Sequence, residues 1–80
     1  MADITYEITE ELGVISENAR GWTKELNLVS WNGGQPKLDI REWDSEKKRM
    51  SKGITLTWDE AAVLNELLTK ALEEDILSFF

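Results

Sequence analysis

The chain lacks cysteine and histidine, and its 80 residues include a single proline. Without cysteine there is no disulfide and no thiolate metal site. Without histidine the commonest metal ligand and the usual general base at neutral pH are missing. Nucleophile pairs of the Ser-His or Cys-His kind are excluded for the same reason. Apolar runs are short, far below the roughly 18 residues of a membrane span. The start, Met1-Ala2-Asp3, has neither the basic opening nor the apolar stretch of a secretory signal. These absences predict a cytoplasmic protein with no membrane, metal, cofactor or small-molecule substrate. A chain of this length is one domain, residues 1–80, and alone it would bury only about 60 % of its unfolded surface. Self-association is the support left to so small a core.

Charge is plentiful but unevenly placed. The total is 9 bases against 16 acids, a formal −7. Residues 1–19 hold five acids and no base. Residues 53–80 hold six acids against Lys70. The middle, residues 20–52, carries the other eight bases against five acids, a local +3. Screening over about 8 Å at physiological salt lets such a patch act independently of the global charge.

Hydrophobic periodicity predicts four strands and a helix. Ile4, Tyr6, Ile8, Leu12 and Val14 alternate with polar residues, the mark of a half-buried strand, and Glu10 interrupts the series where a bulge is expected. Asn18-Ala19-Arg20-Gly21 reads as a turn. Residues 22–32 form a second strand whose facing the pattern leaves open. Asn32-Gly33-Gly34-Gln35 marks a hairpin, because glycine accepts positive φ. Residues 37–43 form the third strand, with Leu38 and Ile40 on one side and Lys37, Asp39, Arg41 and Trp43 on the other. Residues 44–52 are polar and read as a loop. Ile54-Thr55-Leu56 makes a short fourth strand.

Thr57 and Glu60 have capping-box spacing, so a helix starts at residue 58 and runs to about 75. Ala61, Leu64, Leu68, Ala71 and Leu72 follow the i, i+3, i+4 rule, and Ile76, Leu77, Phe79 and Phe80 form an apolar tail. The fold class is α+β, a four-stranded antiparallel sheet in the order β-β-β-β-α. The helix offers more apolar surface than one small sheet covers. A homodimer joined through Leu64, Leu68, Ala71 and Leu72 would bury the excess.

No catalytic constellation appears among the carboxylates, and Gly33-Gly34 lacks the Lys-Ser/Thr of a phosphate loop. The sequence therefore predicts binding, not an enzyme. Four tryptophans are a heavy load for this length. Trp58 is expected in the core. Trp43 is expected on an open sheet face with Lys37 and Arg41, where bases stack on the ring and cations follow the phosphates. Trp31 is expected beside the hairpin tip, with Lys47, Lys48, Arg49 and Lys52 around the next loop.

Asp39-Ile40-Arg41-Glu42-Trp43, a polar loop, and Lys52-Gly53-Ile54-Thr55-Leu56 together resemble the signature of the positive cofactor four (transcriptional coactivator p15) family. Ser16 to Trp22 and Val29 to Asn32 are similar to its small bacterial, YdbC-like members. The resemblance implies a homodimer with helices at the interface and exposed β-ribbons that hold single-stranded DNA with little sequence preference. It implies Arg41 and Lys52 as phosphate-facing bases, and Trp31 and Trp43 as aromatic contacts. The sequence departs from the family at Ser51, where a base is usual, in a shorter loop after Trp43, and in lacking the second aromatic there. The candidate binding set is Lys24, Trp31, Asn32, Lys37, Arg41, Trp43, Lys48, Arg49 and Lys52, with single-stranded DNA or RNA as ligand. The competing reading is a protein-interaction module that uses the acidic surface and the apolar tail.

Overall fold

The computed structural model describes residues 4–79, with side chains through residue 74. Five elements follow in the order β1 (Tyr6–Glu17), β2 (Thr23–Trp31), β3 (Lys37–Trp43), β4 (Ile54–Leu56) and α1 (Trp58–Phe79). The strands form one antiparallel meander in the order β1-β2-β3-β4. The fold is thus α+β, with third and fourth strands bounded as the sequence predicts.

Local chemistry sets the turns. Asn18 Oδ1 accepts the backbone N–H groups of Arg20 and Trp22, at 2.9 and 3.0 Å, and Gly21 takes φ +84°. At the next corner Asn32 (φ +51°) and Gly33 (φ +75°) both adopt the left-handed region, and the Gly34 N–H closes onto the Trp31 carbonyl at 2.9 Å. The capping box forms as the spacing predicts. The Glu60 N–H donates to Thr57 Oγ1 at 3.1 Å, and the Thr57 N–H donates to Glu60 Oε1 at 2.9 Å.

β1 departs from simple alternation. Its register against β2 shifts between Ile8 and Glu10, between Glu11 and Gly13, and between Val14 and Ser16. The first irregularity falls where Glu10 interrupts the apolar series. Each extra residue changes which side the following side chains face. Tyr6 and Ile8 are half-buried, whereas Ile4, Leu12 and Val14, expected on the same inner face, are exposed, Val14 even though two offsets return it to a place opposite Glu25.

Register on β2 and β3 defines the two faces of the sheet. Thr23, Glu25, Asn27 and Val29 lie opposite Trp43, Arg41, Asp39 and Lys37 on one face. Lys24, Leu26 and Leu28 lie opposite Glu42, Ile40 and Leu38 on the other, which also carries Ile54 and Leu56. Helix α1 meets this second face through β3 and β4. Between them lies an open apolar cavity of about 330 Å³, lined by Ile15, Leu26, Leu38, Leu56, Leu64 and Leu68 among others.

The most deeply buried residues are on the first face, and most of them are polar. Trp43, Val29, Asn27 and Asp39 are 0 % exposed and Glu25 is 1 % exposed. The segment 44–52 returns across this face and is fastened there. The Lys47 ammonium pairs with Glu25, and the Tyr6 hydroxyl donates to the Lys47 carbonyl. Thr23 Oγ1 and Asn27 Nδ2 also donate to the Glu25 carboxylate. Asp39 is held by Arg41 through two bonds of 2.6 and 2.7 Å and by Thr55 Oγ1 at 2.9 Å. Such hydrogen-bonded pairing is the condition under which buried charge is tolerated.

This arrangement predicts acid sensitivity. Burial pushes the Glu25 pKa up, but the hydrogen bonds from Lys47, Thr23 and Asn27 outweigh it, and the group sits below the ordinary glutamate value of 4.5. Asp44, at the start of the returning segment, is likewise lowered. Its desolvation is outweighed by the backbone N–H groups of Arg49, Lys48 and Glu46. A depressed carboxylate pKa contributes stability that is full above the unfolded value and is lost as pH falls through the folded one. Amide exchange over residues 44–50 should therefore rise below about pH 4.5 relative to the helix. Uniform protection down the same titration would contradict the assignment.

Trp58 corrects a further expectation: it is 60 % exposed, not in the core. Ile76, Leu77, Phe79 and Phe80, read from sequence as an apolar tail, lie outside the residues with described side chains.

Candidate functional site

The sequence placed the binding site on the face shared by Lys37, Arg41 and Trp43. These residues do share a face, but it is closed around Trp43 and Arg41. Trp43 is sealed beneath the 44–52 segment and lies 5.3 Å, centroid to centroid, from Tyr6. Its expected role as an open stacking ring is therefore corrected: no face of the indole is free. The cause is the loop, whose lysine finds an ionic partner 22 residues earlier in the chain.

Trp31 is half-buried. Tyr6 flanks it at 5.9 Å, and the Arg41 guanidinium lies over its ring at 4.6 Å. Arg41 itself is held by Asp39, with only 13 % of its side chain exposed. Its expected role as an open phosphate contact is corrected too, because its charge is already neutralised and its fork is occupied. Asn32 Oδ1 accepts the Thr5 N–H at 2.9 Å and ties the hairpin corner to the chain leading into β1. Lys37, Lys48 and Arg49 are exposed, and Lys48 is 3.5 Å from Glu46.

Two of the candidate bases, Lys24 and Lys52, bring their charges together elsewhere, beside the backbone of Arg41. Lys24, Arg41 and Lys52 line one groove of about 340 Å³ with Ile40, Glu42, Ser51, Gly53 and Ile54. The groove sits where β4 stops and residues 51–53 cross beside the end of β3. Ser51 holds this crossing: its N–H donates to the Glu42 carbonyl at 3.0 Å, and its hydroxyl accepts the Glu42 N–H at 3.0 Å. Gly53 is required for a steric reason. A Cβ there would collide with the Ile40 carbonyl and the Arg41 Cβ. The Ser51 that replaces a base in the signature is thus a structural clasp in this chain.

Lys24 and Lys52 are both exposed, and among the described residues neither has a carboxylate within ion-pair distance. Ile54 is 58 % exposed beside them. Two free cations next to an apolar surface can hold a phosphate chain and cover the face of an unpaired base. Sequence reasoning included Lys24 and Lys52 but missed Glu42 and Ile54, which register on β2–β3 and β3–β4 brings to the same place. It placed Lys47 among the bases around the loop, and no local pattern marks that residue as the partner of buried Glu25.

The proposed interface residues lie along α1. Leu64 is half-buried, while Leu68 and Leu72 are 51 % and 70 % exposed and Ala71 is exposed. Val63 and Leu67 extend the apolar surface around the helix, and both are exposed.

Residues 18–67 match the family described as Transcriptional Coactivator p15 (PC4). An uncharacterized protein of Treponema pallidum (strain Nichols) is 46 % identical over 66 residues, which cover 82 % of this chain and 78 % of that one. The matched segment includes all of β2, β3 and β4 and the whole groove.

Proposed function

The chain belongs to the transcriptional coactivator p15 family, whose members bind nucleic acid and act in transcription, and from that premise we propose that it is a homodimeric binder of single-stranded DNA with little sequence specificity. The observation that carries this reading is the pairing of unneutralised Lys24 and Lys52 with the open apolar surface of Ile54 in one groove. Phosphates meet the lysines, and a base with both faces free covers the aliphatic floor. In a duplex the base faces are stacked away, so that contact is lost and only backbone attraction remains. Binding of this kind makes and breaks no bond. The surrounding acidic segments repel phosphate outside the groove.

Two copies joined along α1 would place two such grooves on one particle. Exposed Leu68 and Leu72 support this arrangement, since a lone domain seldom leaves a continuous leucine stripe in water. Two linked grooves on one strand raise avidity without any new contact.

Reversing both charges, Lys24→Glu with Lys52→Glu, should abolish measurable binding to a fluorescent single strand at low salt. In the parent chain, log affinity should fall against log salt with a slope of about −0.7 for each phosphate neutralised. A doubly reversed protein that binds like the parent would show that the strand does not use this groove.

A further inference from the structure

Resting on that reading of the groove, we propose that Glu42 gives an otherwise unselective binder a modest bias at the one base seated there, favouring guanine over thymine. Glu42 is the only carboxylate among the residues that line the groove. Its backbone is pinned on both sides by Ser51, which fixes where the side chain starts. It lies directly opposite Lys24 across the β2–β3 ladder, on the same face as Ile40 and Ile54. Yet among the described residues its carboxylate has neither an ion pair nor a hydrogen bond.

An unneutralised anion in one groove with two phosphate-holding lysines weakens backbone binding, unless it meets a hydrogen-bond donor on the ligand. A carboxylate only accepts, and it presents two oxygens side by side. The bases differ in what they offer it. Guanine presents N1–H and the N2 amino group as adjacent donors, matching both oxygens. Cytosine and adenine each present one amino group beside a ring-nitrogen acceptor. Thymine presents a single N–H flanked by two carbonyl oxygens, which the carboxylate repels. The groove volume of about 340 Å³ is at the small end for ligand sites and suits one nucleotide. Reading unpaired bases on this edge is the usual route to selectivity in single strands.

The test uses the full chain and three short oligothymidylates: one unmodified, one with a single central guanine, and one with inosine at that position. Inosine keeps N1–H but lacks the N2 amino group. Affinities are measured by fluorescence anisotropy at one salt concentration. The guanine strand should bind at least about fivefold more tightly than the all-thymine strand, the low end for a bidentate pair, with inosine between them. Glu42→Gln is close in shape, and circular dichroism checks that it folds. This variant should bind the all-thymine strand more tightly than the parent does and should lose the guanine advantage. Equal affinity of the parent for all three strands, within about twofold, overturns the selectivity while leaving the groove as a nucleic-acid site. A guanine advantage that persists in Glu42→Gln overturns the role of the carboxylate. Failure of every strand to bind at low salt overturns the function on which the selectivity rests.

Discussion

Trp43→Ala should destabilise the fold strongly instead of merely weakening a ligand contact. The ring is wholly buried, packed near Tyr6 beneath the segment that Lys47 fastens to Glu25. Truncating a buried tryptophan costs about 3–5 kcal/mol, against a total of about 5–15 kcal/mol for a small protein. For a domain of this length that is a fall in Tm of more than about 12 °C. Trp43→Phe, which keeps an aromatic body in the site, should lose much less. The measurement is thermal melting by circular dichroism, read beside anisotropy with a single strand. An alanine variant that melts like the parent but binds poorly would mean that the ring is a contact surface and that the returning segment lifts away from it.

The second large effect concerns α1. Leu64→Asp with Leu68→Asp should convert a dimer to monomers and lower stability at the same time. Among the described residues only Val29 and Trp43 are fully buried apolar side chains, which is a small core for a stable domain. The leucine stripe faces an apolar cavity that the helix itself leaves open. A second copy would cover both, and charges placed there would be stranded in the contact. Light scattering across a dilution series checks the mass, and Thr69→Asp on the polar side of the helix serves as the comparison. A parent chain that has the mass of one copy at every concentration would defeat the proposed assembly.

The strands, turns and helix were legible in the sequence because their causes are local. Asn32-Gly33 accepts positive φ at both positions, Thr57 and Glu60 satisfy each other across one turn, and Leu38 and Ile40 keep strict alternation. What lay hidden depends on contacts between distant residues. Glu25, Asn27 and Asp39 look solvent-bound from their chemistry. They are buried because Lys47 and Thr23 supply partners to Glu25, Asn27 donates to Glu25 in turn, and Arg41 and Thr55 hold Asp39. Lys47 takes φ +61° in the returning segment, and no local pattern announces that it closes the face where Trp43 lies. Of the candidate binding residues, Lys24 and Lys52 line one groove, whereas the aromatic residues grouped with them are on the covered side. The capping box located the start of α1 correctly, yet capping says nothing about which way Trp58 turns, and it faces water.

The broken register of β1 has a consequence beyond its own side chains. This twelve-residue strand lies at the outer margin of the sheet, where Leu12, Val14 and Ile15 are exposed. A flat apolar margin of that length would invite a neighbouring molecule to dock strand upon strand and begin a fibre. Three local offsets within the strand spoil the even spacing such stacking needs. Acidic Glu7, Glu10, Glu11 and Glu17 add repulsion between like margins. The irregularity that makes β1 hard to read is thus a safeguard against runaway polymerisation.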